Sequence, residues 1–146
     1  VDCMSAFEEG HYVGWRKSRM LAIKKYMNTE FFYMKNLTEL GGASGHNGNE
    51  FYKLGCASVE CLEARLAHIA KGKQKFPHIN FLKWDGDKKK EKRLVKKTDI
   101  ILHWGLLYHL REIEDHLRKR KRSRRWIWFM SPSSKIWLSK IWTLSN

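Results

Sequence analysis

The residues with the plainest chemical potential are cations. Arg118, Lys119, Arg120, Lys121, Arg122, Arg124 and Arg125 fill seven of eight consecutive positions. Lys88, Lys89, Lys90, Lys92, Arg93, Lys96 and Lys97 fill seven of ten, with one acid, Glu91, among them. The chain has 29 Lys and Arg against 15 Asp and Glu, a formal charge of +14, so the two runs carry nearly all of the excess. Segregation of this kind suits a polyanion: Lys and Arg neutralise phosphates and release counterions, and Arg forks onto phosphate oxygens. An aromatic block, Trp126 to Met130, follows the second run without a spacer. In it, Trp126 and Trp128 offer faces for stacking on unpaired bases or for burial against a neighbour. Arg16, Lys17 and Arg19 form a third basic group. Together these residues are the expected nucleic-acid-binding set.

Other motifs promise less. The segment Gly41 to Gly48, GGASGHNG, holds four glycines. A loop of this kind ahead of a helix can cradle a phosphate through its backbone N–H groups. The P-loop, however, needs a Lys followed by Ser or Thr, and the dinucleotide motif needs a preceding strand where this sequence predicts a helix. The segment therefore reads as an interhelix loop. The tetrapeptide GHNG also occurs in the glycine-rich loop of peptidyl-tRNA hydrolases; the match ends after four residues, and no family is adopted on it.

Cys56, Cys61 and His68 do not surround one ion on a helix and form no tight C-x2-C pair, so no metal is expected. His103, His109 and His116 read as surface or boundary residues of one helix, and Glu60/Glu63 and Glu112/Asp115 as acid pairs on solvent faces. No catalytic residue, cofactor or small-molecule substrate is expected.

The elements that must position these groups follow from apolar spacing. One helix is predicted from Trp15 to about Leu37, a second from about Asn49 to Ala70, and a third from about Thr98 to Lys121. The second carries a stripe of Phe51, Leu54, Ser58, Cys61, Leu62, Leu66 and Ile69; the third carries Leu102, Leu106, Leu110, Ile113 and Leu117. An extended segment surrounds Pro77, Trp126 to Met130 reads as a strand or a last helical turn, and Ser134 to Leu144 as a short helix. The expected fold class is mainly α: three long amphipathic helices, a Gly-rich interhelix loop, irregular extended segments and at most a short strand or two. The expected organisation is a helical domain, 1–125, with cationic segments 88–97 and 118–125, and a Trp-rich C-terminal tail, 126–146.

With 146 residues, 42% of them hydrophobic, the chain can build one core. Cys3, Cys56 and Cys61 are too few, and odd in number, for a disulfide framework, which points to a reducing compartment. The start at Val1 suits a product of leader removal or a chain lacking its first residues. The function expected on these grounds is a non-catalytic, RNA-binding structural component of a large ribonucleoprotein, an organellar (mitochondrial) ribosomal protein that contacts rRNA and neighbouring proteins. Two alternatives stand beside it. One is an accessory subunit of an organellar membrane energy-converting complex, touching the membrane surface through 134–146. The other is a nuclear DNA-binding factor; nucleus and cytoplasm are the alternative locations.

Overall fold

A computed structural model describes residues 10–26, 28–87, 98–106, 109–116, 126–130 and 136–139, with the backbone alone described at 26, 126–130 and 136–139. Helix α1 (Gly10–Tyr26) comes first. A 3-10 turn, Thr29–Phe32, follows, capped by Asn28, whose side chain accepts from the Glu30 N–H at 3.0 Å. Then β1 (Asn36–Leu40), α2 (His46–Lys53), β2 (Ser58–Glu63), α3 (Leu66–Lys75) and β3 (Asn80–Lys83) alternate. The strands β4 (Ile100–Trp104), β5 (Trp126–Met130) and β6 (Ile136–Ser139) complete one sheet of order β3-β2-β1-β4-β5-β6. Neighbours from β3 to β5 are parallel, and β6 is antiparallel to β5. The order runs outward from β1 in both directions, as in doubly wound, Rossmann-like sheets.

The mainly α expectation is thus wrong, and the reason is local in each case. The first predicted helix ends at Tyr26, because Asn28 starts a new turn and Met34 adopts φ of 57°; its last two residues, Asn36 and Leu37, open β1. The second is α2, β2 and α3. Gly55, at φ of 96°, stops α2, and the stripe residues Ser58, Cys61 and Leu62 belong to a strand. The third is broken by Gly105, at φ of 86°, and its first part is β4. All five residues of β4 are buried, and a strand covered on both faces shows a continuous apolar run that mimics a helix stripe. The extended segment near Pro77 contains β3, and within 134–144 the structure has a strand, β6, where a helix was predicted.

The alternation of side chains divides the core. On one face Leu37, Val59, Cys61, Phe81, Ile100, Leu102 and Trp104 meet Met20 and Ile23 of α1, Phe51 of α2 and Ile69 of α3. Phe51 links the layers, with ring centroids 5.2 Å from Phe32 and 5.5 Å from Trp104, both edge-on. On the other face Leu40, Leu62, Trp84 and Ile101 form a smaller cluster. Each fully buried Leu, Ile or Phe contributes about 1.5–3 kcal/mol. At the amino ends of the strands the Asp99 carboxylate accepts from the Asn36 N–H at 2.8 Å and fixes β1 beside β4. No helix among the described residues is long and apolar enough to cross a membrane.

Candidate functional site

Because β1 to β4 run parallel, their carboxyl ends meet at one edge, and the chain turns away in opposite directions from β1 and β4. A cavity of about 530 Å³ opens there. It is lined by residues that follow each of the four strands: Gly41 to Ala43, Glu63 to Arg65, Trp84 to Asp87, and Trp104 to Leu106. Tyr12, Trp15, Arg16 and Arg19 of α1 form a further wall, and His109 and Leu110 close another side.

The glycine segment is the turn between β1 and α2. Gly41 and Gly45 have φ of 66° and 78°, a region that side chains resist, and Gly45 caps α2. Gly42 is required by space: a Cβ on it would lie 2.5 Å from Cys61 Sγ and 2.7 Å from Glu39 Oε2. Glu39, fully buried near the end of β1, clasps the turn from below. Its carboxylate accepts from Asn47 Nδ2 and from the Gly48 N–H, each at 3.0 Å. Burial pushes the Glu39 carboxyl up to about 7, while the Asn47 and Gly48 hydrogen bonds pull the other way.

Glu63, the last residue of β2, is buried and reaches the same turn. It accepts from the Ala43 N–H at 2.9 Å through Oε2, and through Oε1 from the Arg65 N–H at 3.0 Å and Arg65 Nε at 3.3 Å. Backbone bonds extend the sheet into the loops, from Gly41 N to Leu62 O and from Trp84 N to Glu63 O. The turn after β3 is tied across the cavity: Asp87 accepts from the Arg111 N–H at 2.9 Å.

The sequence-predicted site residues distribute unevenly over this geometry. Arg16 and Arg19 line the cavity, and Lys17 of the same helix is exposed. Trp126 and Trp128 are β5 residues in register with Ile100 and Leu102. Lys88 to Lys97 and Arg118 to Arg125 lie outside the described residues. His103 and His116 are not surface residues of one helix. His103 is on β4, His116 is on a separate turn, both are buried, and their Nε2 atoms are 3.0 Å apart. Glu63 is no solvent-face acid. The residues missed by the sequence reading, Glu39, Gly41, Gly42, Gly45 and Glu63, share one detectable signal. A short apolar run, NLTEL, leads into glycines and then a helix, with an acid about 20 residues on. Among the described residues no group of three or more His, Cys, Asp or Glu could hold a metal ion.

No protein-family model matches the chain, and no curated protein matches it by sequence. Solved structures do match its fold. An S-adenosylmethionine-dependent methyltransferase from Mesorhizobium loti superimposes with a TM-score of 0.61, at 16% identity over 74% of this chain and 50% of that one. The magnesium protoporphyrin IX methyltransferase of Synechocystis, solved with bound SAH, gives 0.65, at 13% identity over 80% and 55%. The N-terminal domain of EvdMO1, solved with SAH and D-fucose, gives 0.58, at 22% identity over 65% and 42%. The chain spans about half the length of the solved structures it matches.

This likeness overturns the expectation of a non-catalytic ribosomal subunit bound to rRNA. That expectation rested on the gathering of cations into 88–97 and 118–125, which lie outside the described residues. The chain instead has an α/β sheet shared with methyltransferase structures, and a cavity of about 530 Å³ at the carboxyl ends of its strands.

Proposed function

We propose that this chain is the cofactor-binding part of an S-adenosylmethionine-dependent methyltransferase. The observation that carries the reading is the hydrogen bond from Ala43 to Glu63, which ties the end of β2 to the turn after β1, beside the point where the strand order reverses. An adenosine ligand at such a point needs a glycine-rich backbone that it can approach closely and an acid on the next strand to accept from its ribose hydroxyls. Gly41, Gly42 and Glu63 meet both needs within one cavity. Its volume, about 530 Å³, falls in the usual range for small-molecule sites, about 300–1,000 Å³. Trp84, Leu106 and Leu110 supply apolar surface for a purine, and Glu63, Asp85 and Asp87 supply negative potential for a ligand bearing cationic centres. The two named methyltransferases, one of them solved with SAH (S-adenosylhomocysteine, the demethylated cofactor), and the EvdMO1 domain, also solved with SAH, support the choice of ligand.

S-adenosylmethionine supplies a methyl group made electrophilic by its sulfonium. The chain's own work is to bind and orient. No thiol or serine hydroxyl lines the cavity among the described residues. Cys61 sits beneath Gly42, and burial pushes its thiol well up, away from the reactive thiolate form. Glu63 holds the ribose end, the turn after β1 admits the ligand's backbone-facing side, and Trp104, only 5% exposed, shields the floor from water. Positioning of this kind is the contribution a displacement at carbon requires of the protein.

Titration calorimetry of the purified chain with S-adenosylmethionine, SAH and NAD tests the proposal. Binding of the first two is expected in the range of about 1 μM–1 mM common for enzyme ligands, with NAD weaker than both. Preference for NAD, or no heat with any of the three, overturns it.

A further inference from the structure

Glu39 is a completely buried acid, 0% exposed, close under the glycine turn that lines the cavity. The hydrogen bonds it accepts come from neutral donors, Asn47 Nδ2 and the Gly48 N–H. A carboxylate in such a place holds its charge with difficulty, because burial disfavours the ionised form unless a positive charge lies against it. The groups that face it set the balance. From β2 come Glu63, whose charge opposes ionisation, and Cys61, whose thiol burial keeps protonated. From α1, Arg16 favours ionisation and is the weakest of these influences; α2 offers the two neutral donors.

The carboxylate lies close under the part of the cavity where glycine lets a ligand approach the backbone. Gly42 lines the cavity, and a Cβ on it would be 2.7 Å from Glu39 Oε2. Asn47 lines the cavity too, and its Nδ2 holds the other oxygen, Oε1, at 3.0 Å. A cation resting on Gly42 is therefore about one residue's thickness from Glu39, in surroundings that screen charge less than water does. S-adenosylmethionine and SAH differ by one methyl group and one positive charge, both on sulfur. An ionised Glu39 attracts that extra charge; a protonated Glu39 treats the two ligands alike.

Resting on the methyltransferase reading, we infer that Glu39 determines specificity between cofactor and product: its negative charge beneath the glycine turn favours the sulfonium over the thioether, and binding of the sulfonium displaces the proton from Glu39. The proton passes to solvent, and no bond to the ligand forms. The preference follows pH through about 7, the value to which burial raises this carboxyl. Under more acid conditions the group is neutral, and the affinity for product comes closer to that for cofactor.

The test follows the side-chain carboxyl carbon of Glu39 by NMR across its titration, in the chain saturated with SAH and, separately, with S-adenosylmethionine. The midpoint is expected about one pH unit lower with S-adenosylmethionine, which is equivalent to about tenfold in affinity. Calorimetry should return the same quantity, as a ratio of S-adenosylmethionine to SAH affinity that rises about tenfold from about pH 5 to about pH 8. In Glu39→Gln, which cannot titrate, that rise should be absent. Equal midpoints with the two ligands, or a ratio that follows pH equally in the parent and in Glu39→Gln, overturns the inference, while SAH binding leaves the methyltransferase reading standing. The midpoints come from the parent chain alone and decide the matter where the variant fails to fold. Failure of the parent chain to bind SAH removes both.

Discussion

The backbone N–H of Ala43 donates to Glu63 Oε2 at 2.9 Å, joining the turn after β1 to the carboxylate that ends β2. Two strands thereby place one site, and the acid is held where the glycine turn passes. Glu63→Gln keeps the shape but sets an amide N–H against the donors of either Ala43 or Arg65. Loss of a charged acceptor for the ribose and for the loop should weaken S-adenosylmethionine binding by about 1.5–3 kcal/mol, on the order of 10- to 100-fold. Calorimetry on the parent and the variant measures it directly, and equal affinities would remove Glu63 from the cofactor site.

Gly42 tests close packing apart from backbone conformation, because a Cβ there meets Cys61 Sγ at 2.5 Å and Glu39 Oε2 at 2.7 Å. Gly42→Ala should cost about 1–3 kcal/mol through forced displacement of these neighbours. Cys61→Ala opens space on one of the two sides. The double variant should therefore lose less than the sum of the two single losses, a coupling of at least about 0.5 kcal/mol. Urea denaturation of the four proteins closes this cycle, and strict additivity would mean that the turn yields elsewhere.

Much of this was hidden in the sequence for physical reasons. β1 and β2 read NLTEL and SVECLE and contain only two β-branched residues, Thr38 and Val59, so their intrinsic strand preference is weak. Their strand conformation comes from burial on both faces in the middle of the sheet, a tertiary effect. The spacing of Phe51, Leu54, Cys61, Leu62 and Ile69 imitates one helix only while Gly55 is ignored; at φ of 96° it marks the break. The order of apolar run, glycines, helix and later acid was legible. A single helix over Trp15 to Leu37 leaves no strand before the glycines and so hides the meaning of that order. Arg16 and Arg19 were recognised as anion-seeking, but only the fold places them in a cavity with Trp15 and Trp104.

His103 and His116 make a second junction that spacing alone could not suggest. Their Nε2 atoms, both buried, face each other at 3.0 Å, so one ring donates and the other must present a bare Nε2 with its proton on Nδ1. His116 belongs to the helical turn 113–116, just beyond the cavity residues His109 and Leu110. His116→Ala leaves a buried polar atom on His103 unsatisfied, at a cost of about 1–3 kcal/mol. Long-range nitrogen–proton NMR spectra should show the two rings in different protonation patterns. Two rings with a proton on Nε2 would contradict this geometry.

Glu39 gives the fold a pH dependence of unusual sign for a carboxylate. Burial is the leading cause that pushes it from 4.5 to about 7, with the nearby charge of Glu63 adding and Arg16 opposing. In the unfolded chain the group loses its proton above about 4.5. In the folded chain it keeps the proton until about 7, so between these values the folded state binds more protons than the unfolded one. Its contribution is complete below the unfolded value and is lost as pH rises through the folded one. A shift of this size corresponds to about 3 kcal/mol. Asn47 can follow the change. Its Nδ2 donates to Glu39 Oε1, its Oδ1 has no hydrogen-bond partner among the described residues, and a turned amide would accept from the protonated acid. Urea unfolding of the parent and of Glu39→Gln at pH 5, 6, 7 and 8 isolates the effect, since Gln cannot titrate. The parent should lose stability relative to the variant as pH rises to about 7 and run parallel to it above about 8; a difference independent of pH would show that Glu39 is ionised throughout.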